Sequence, residues 1–235
     1  MDEPIITEEY KGYTIKVFYD LDPRNPREDG TLGHMACWHR RYVLGDPNEV
    51  KHGVSPEFWN FDLAYRLDED RISYWDAEND RRRNGAEEQL AKAIADTIHK
   101  YCVILPLYLM DHSGISISTT SVTFRAFDSH GWDWGQIGWI YVTKKEALQE
   151  WKRKHWSKKL EEEVRKELCQ EVEVYDAYLC GDVYYSTVLD ADGEYVDSCD
   201  GYTGPNEEQR ALEQARAIVD YEVVKKIQSY KMVPS

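Results

Sequence analysis

No stretch of this chain is apolar for long. The longest such run, Val103 to Met110, carries Pro106 inside it and falls well short of the ~20 residues that a membrane-crossing helix needs. No membrane partner is therefore expected. The opening MDEPIITEEY is acidic where a secretory signal would be basic and then apolar, so the cytoplasm is the expected location. Cysteine is sparse and unpaired. Cys37, Cys102, Cys169, Cys180 and Cys199 are widely spaced with no CxxC pair, which argues against a zinc knuckle or a disulfide framework and predicts reduced, mostly buried thiols. HExxH, EF-hand, GxSxG and P-loop patterns are all missing; GISIS is no nucleophile elbow, and GWDWGQIG lacks the lysine of a phosphate cradle. With no internal repeat, low-complexity tract or linker in 235 residues that are 42% hydrophobic, the expectation is a single domain over 1–235.

Basic charge is also in short supply. Twenty-nine Lys and Arg face 44 Asp and Glu, a net charge of −15, and the imbalance is local. From Glu171 to Glu222 fourteen acids meet only Arg210 and Arg216, whereas Lys144 to Glu167 holds nine bases and six acids. Residues 171–222 thus form an acidic C-terminal region. What the chain has in quantity is aromatic: 17 Tyr and 8 Trp, residues that supply large contact area at low entropic cost and suit binding surfaces as well as cores.

Periodicity gives the fold class. Tyr13 to Asp20 alternates as a strand, PRNPREDG breaks it, and MACWHRRYVL reads as its hairpin partner. Ser55 and Pro56 open a helix, and Leu90, Ile94 and Ile98 mark another across Gly85 to Tyr101. Val103 to Met110 reads as a buried strand in which Pro106 implies a bulge or an edge. Gly135 to Thr143 reads as a further strand, followed by a short helix over Lys144 to Lys154. Ser157 caps a longer helix striped by Leu160, Val164, Leu168, Val172, Tyr175 and Leu179, with Gly181 at its stop. DVYYSTVLDADGEYVDSC is a hairpin turning at Asp192-Gly193, and Asn206 opens a last helix with Leu212, Ala215, Val219 and Val223 on one face. The sum is an α+β fold: a mainly antiparallel sheet with flanking helices and an acidic C-terminal hairpin-helix region.

Several stretches have a specific wording: HRRYVLGD (His39 to Asp46), LPLYLMDHSGISIST (Leu105 to Thr119), WDWGQIGWIYVT (Trp132 to Thr143), and YDAYLCGDVYYSTV followed by VDSCDGYTG. In order and wording they resemble a widespread family of uncharacterised bacteriophage and mobile-element proteins. The resemblance implies a cytosolic protein expressed inside a bacterial host and carries no set of catalytic residues. SVTFRAFDSHG is longer than the short, Pro-containing link that the family has between its HSG and WD motifs, so Asp128 and His130 inherit no role from it.

Two classes of function remain. Asp111, His112, Asp128, His130 and Asp133 are five potential metal ligands within 23 positions, of a donor type that suits zinc, manganese or iron. They would serve a small metal-dependent hydrolase of nucleotides or nucleic acid built on the DHSG and WDWGQ loops. Their spacing matches no ligand signature. The plainer expectation is that Asp111 and Ser113 cap the strand-end turn, with His112 packed beside Trp132 or Trp134. Ser113 beside His112 does not make a nucleophilic pair, since neighbouring strand residues face opposite ways, and Cys37 near His34 and His39 reads as a buried thiol.

The acidic block favours the other class. A binding protein with no cofactor would set its carboxylates against a host defence protein's basic nucleic-acid-binding cleft, of CRISPR or restriction type, without binding nucleic acid itself. Its expected partner-binding residues are Asp190, Asp192, Glu194, Asp197 and Asp200, together with Trp132 and Trp134.

Overall fold

The computed structural model describes residues 3–28, 30–47, 49–50, 53–81 and 86–231. Its elements in chain order are strands β1 (Ile6–Tyr10) and β2 (Tyr13–Tyr19), a 3-10 turn at Pro26–Glu28, strand β3 (His34–Cys37), and helices α1 (Pro56–Leu67), α2 (Glu69–Arg81) and α3 (Ala86–Tyr101). Strands β4 (Cys102–Asp111) and β5 (Ile115–Ser118), helix α4 (Val122–Phe127), strand β6 (Trp134–Thr143), and helices α5 (Lys144–Glu150) and α6 (Lys158–Cys180) follow. Strands β7 (Val183–Leu189) and β8 (Tyr195–Thr203) and helix α7 (Glu207–Lys231) complete the chain. Two four-stranded sheets with antiparallel pairing throughout, accompanied by helices, make this an α+β fold, as the pattern predicts. No described helix is long and apolar enough to cross a membrane.

The chain divides into two compact units: a terminal unit of Met1–Pro26 with Glu173–Ser235, and a central unit of Arg27–Val172. The expectation of one domain over 1–235 rested on the lack of a linker, and the second boundary has none because it falls inside α6.

In the terminal unit the strand order is β1-β2-β7-β8. Alternation along β2 turns Tyr13, Ile15 and Val17 to one face, where they pack with Tyr184, Val188 and Tyr202. Helix α7 lays Ala211, Leu212, Ala215 and Val219 against that face, at the three- and four-residue spacing of a single helical stripe. Complete burial of a side chain such as Ile15 or Val188 stabilises by roughly 1.5–3 kcal/mol. The β7–β8 hairpin turns where Asp192-Gly193 predicts. Oδ1 of Asp190 accepts the N–H groups of Asp192 and Glu194, each at 3.0 Å, and Gly193 takes φ +82°. Strand β8 is an edge of this sheet.

In the central unit the order is β3-β6-β4-β5. Helices α1, α2 and α3 bring Trp59, Leu63, Ala64, Ile72 and Ile98 onto Ala36, Cys102 and Tyr141. Ser55 caps α1 as expected, its side chain accepting from Phe58 N–H. A Cβ on Gly33 would come within 2.6 Å of Leu168 and 2.9 Å of Ile140, which shows how closely α6 approaches the sheet there. Glycine is required at Gly138 because β3 passes too close for a side chain: a Cβ would run into the carbonyl oxygen of Ala36. Pro106 sits opposite Trp139 of β6, just before the register shift at Leu107/Tyr108 and on the part of β4 that β5 does not reach, so that side of the strand is an edge there.

A buried guanidinium joins three segments of this unit. Arg27, 6% exposed, donates through Nε to Asp46 at 2.7 Å, through Nη1 to Glu171 at 2.9 Å and through Nη2 to the Gly33 carbonyl at 2.5 Å. Glu171 in turn accepts the N–H groups of Leu32 and Gly33 at 2.8 and 3.0 Å. Every partner is satisfied, which is the condition under which a buried charge is tolerated.

Some expectations are corrected. The stretch after the Pro-rich break is not the hairpin partner of β2: only His34–Cys37 is strand, and it pairs with β6 in the other sheet, while β2 lies between β1 and β7. Beyond Cys37 the chain turns, with Nδ1 of His39 accepting the N–H groups of Arg41 and Tyr42 at 3.3 and 3.2 Å. The helix expected over Lys144 to Lys154 stops at Glu150, where Lys152 adopts φ +52°. All five cysteines are free, yet only Cys102 is buried, and Cys180 is exposed.

Candidate functional site

The motif stretches of the central unit converge. LPLYLMDHSGISIST forms β4, a tight turn and β5, with Ser113 at φ +57° and Gly114 at φ +146° closing the turn and His112 N–H reaching the Gly114 carbonyl at 3.1 Å. The WDWGQ loop meets that turn: Asp111 donates its N–H to the Asp133 carbonyl at 2.7 Å, and His112 Nδ1 lies 2.8 Å from Asp133 Oδ2. HRRYVLGD arrives from the other side, with Arg41 ion-paired to Asp111 and the Tyr42 hydroxyl 3.5 Å from its other oxygen. Between them opens a cleft of about 300 Å³ lined by His39, Arg40, Arg41, Asp111, Trp132 and Asp133, with Leu109 and Ile137 in its floor.

Each side chain in the cluster has a traceable reason for its position. Asp128 organises the loop, its carboxylate accepting from the N–H groups of His130 at 3.0 Å, Trp132 at 2.5 Å and Asp133 at 3.0 Å. Those backbone donors, that of Asp133 foremost, hold its carboxyl below the usual carboxylate range against the opposing effect of burial. Trp134 is spoken for: its indole N–H donates to the Asp128 carbonyl at 2.8 Å, Tyr108 meets it edge-on and Arg125 lies over its ring. The Trp132 side chain, by contrast, is 86% exposed. Burial, with the neighbouring positive charges of Arg41 and Arg40, lowers the pKa of His39. Its Nδ1 serves two backbone donors, so the ring keeps its remaining N–H on Nε2.

The five candidate metal ligands are dispersed among other bonds. Asp111 goes to Arg41, His112 to Asp133, Asp128 to backbone, and His130 to the Ser129 hydroxyl at 3.3 Å. Among the described residues no three His, Cys, Asp or Glu side chains are grouped to hold a metal ion. The expected turn caps are corrected too: Asp111 bonds to Arg41 rather than to backbone, and His112 contacts Asp133 rather than packing on Trp132 or Trp134. Cys37 is half-buried as a residue, but desolvation of its thiol, and then Asp46, pushes it up to about 12, which removes it as a thiolate nucleophile. His34, its neighbour in sequence, bonds instead to Glu146 at 3.2 Å.

In the terminal unit some acidic residues of β1 and α7 hold bases: Glu8 takes Arg216 at 2.5 Å, Asp220 takes Lys11 at 2.7 Å, Glu207 takes Arg210 at 3.3 Å and Glu222 takes Lys225 at 3.1 Å. Glu9, Glu208 and Glu213 of the same elements hold none among the described residues. Asp190, Asp192, Glu194, Asp197 and Asp200 hold none among the described residues. Four of these five are exposed; Asp190 is half-buried and serves the turn, and Asp197 accepts the N–H of Ser198 at 2.8 Å. Tyr195 stands exposed among them. Their carboxylates also line an edge strand, where charge discourages pairing with another chain's edge.

No protein-family model, curated protein or solved structure matches the chain. What defines it is its own architecture: a two-sheet α+β protein with an unpaired acidic hairpin on one unit and a donor-lined cleft on the other.

Proposed function

We propose that this is a phage-type binding protein that inhibits a host defence system, of anti-CRISPR or anti-restriction kind, by presenting its β7–β8 hairpin as an acidic mimic of nucleic acid. One observation supports the reading: four exposed carboxylates, Asp192, Glu194, Asp197 and Asp200, crowd a single hairpin with no base against them among the described residues, whereas Glu8, Glu207, Asp220 and Glu222 of the same unit are paired. Unpaired surface charge is available to a partner, and a row of carboxylates competes for the Lys and Arg residues that otherwise neutralise phosphates. The partner is a protein with a basic nucleic-acid-binding cleft; the chain itself does not bind nucleic acid, acts in the host cytoplasm and needs no membrane or cofactor.

The immobilised protein should capture host proteins that excess duplex DNA displaces, and a variant with Asp192, Glu194, Asp197 and Asp200 changed to Lys should not capture them. Equal capture by both proteins would end the proposal. A second reading, hydrolysis at the DHSG and WDWGQ loops, draws support from the His112–Asp133 pair, an exposed imidazole oriented by a carboxylate. It is the weaker reading, because Asp111 and Asp128, the other carboxylates offered to a metal, are committed to Arg41 and to backbone.

A further inference from the structure

We infer that the cleft of the central unit binds a nucleoside monophosphate, with Arg40 and Arg41 on the phosphate and the Trp132 indole stacked on the base. The inference does not rest on the acidic hairpin, and either could fail without the other. It starts from what the cleft has left to offer. Both oxygens of Asp111 are engaged by Arg41 and Tyr42, and one oxygen of Asp133 by His112. The donors are in surplus: Arg40 is exposed with no hydrogen bond or ion pair among the described residues, Arg41 uses one nitrogen on Asp111, and His39 keeps an N–H on Nε2. A site rich in free N–H donors and poor in free acceptors selects an anion, and guanidinium forks match the geometry of phosphate.

The second half of the ligand follows from Trp132. Trp132, 86% exposed, lines the cleft, whereas Trp134 beside it is fixed by Tyr108, Arg125 and the Asp128 carbonyl. The backbone under Trp132 is nonetheless held in place, since its N–H binds Asp128. A flat ring that is exposed while its main chain is anchored is a stacking platform, and stacking of a base on such a ring contributes roughly 1–3 kcal/mol. The cavity, about 300 Å³, lies at the small end of ligand sites. That is room for one nucleotide and not for a folded partner. The ligand would thus carry a compact phosphate and an aromatic base a few bond lengths apart.

Calorimetric titration of the whole chain with AMP, adenosine, inorganic phosphate and phenyl phosphate tests this directly. For the intact protein the expected result is an AMP dissociation constant of about 10–100 µM, with adenosine, inorganic phosphate and phenyl phosphate each at least about tenfold weaker because each lacks one contact or the larger ring. Arg40→Gln and Trp132→Ala, both at exposed positions, should each weaken AMP by about tenfold or more, and Asp192→Asn on the other unit should leave it unchanged. In parallel, AMP should shift the indole N–H resonance that disappears in Trp132→Ala. Absence of binding at millimolar AMP, equal affinity for phenyl phosphate, or undiminished affinity in both cleft variants would overturn the proposal.

Discussion

The β7–β8 hairpin and the motif cleft are opposite solutions in charge. The hairpin shows carboxylates with no base against them among the described residues, and the cleft shows donors whose neighbouring acceptors are largely used. The same contrast runs through the two units. The terminal unit has 19 acids against 8 bases, a net of −11, while the larger central unit has 25 against 21, a net of −4. Charge count alone does not identify a surface. Glu171 belongs by sequence to the acidic run of 171–222, yet it is an internal ligand of Arg27 in the central unit. What separates a structural carboxylate from an available one is whether a donor sits against it.

The sharpest way to break that comparison is to treat a paired acid and an unpaired one alike. Glu171→Ala or Arg27→Ala leaves a buried charge without its partner and should cost about 3–5 kcal/mol in chemical denaturation. Asp192→Asn and Glu194→Gln should stay within about 0.5 kcal/mol of the original. If the two sets lose stability equally, the division into internal and available acids is mistaken. Within the hairpin itself Asp190 is the exception. Asp190→Ala removes two turn hydrogen bonds and should cost roughly 1–2 kcal/mol, visible as a lowered melting temperature, so this residue is a poor choice for a charge-reversal test of binding.

How far these distinctions could be read beforehand depended on range. Local signals held: Ser55 and Pro56 start α1, Ser157 caps α6 with its hydroxyl accepting from Leu160 N–H at 3.2 Å, Gly181 ends it at φ +80°, and Asp192-Gly193 turns the last hairpin. Partners across distance did not. β2 pairs with β7 around the whole inserted central unit, and nothing near Tyr13 announces that Thr187 is opposite Lys16. Strand β1 and helices α2 and α4 passed unnoticed, since ITEEY and VTFRAF are short and the α2 sequence is strongly polar. Arg27 lay inside a stretch legible only as a break. Of the candidate site, the sequence marks Asp111, His112 and Asp133, and these do come together, whereas nothing in HRRYVLGD ties Arg41 to them. Contact between two loops 70 positions apart leaves no local trace.

Smaller effects sharpen the cleft side. Asp111→Ala removes an ion pair whose arginine is largely solvated, so the cost should be about 0.5–1 kcal/mol, read by denaturant midpoint. A loss above about 3 kcal/mol would mark the pair as a buried structural element. The pH dependence of the loop follows from Asp128, whose carboxyl is held below its ordinary value of 3.8, mainly by the Asp133 N–H. The charged form is the one the fold prefers, so its contribution is complete above that value and is lost as pH falls through the lower folded value. Amide resonances of Trp132 and Asp133 should therefore move only well below pH 4, and Asp128→Asn should abolish that titration. Movement centred near neutral pH would contradict the assignment to Asp128.

The most direct test is the affinity of a partner captured by the protein, measured at low and at physiological ionic strength for the original chain and for the Lys-reversed variant at Asp192, Glu194, Asp197 and Asp200. Mimicry by an unpaired acidic hairpin predicts steep weakening with salt for the original chain and at least about a 100-fold loss for the variant, because each reversal turns close attraction into repulsion. Equal affinities with a flat salt response would contradict it.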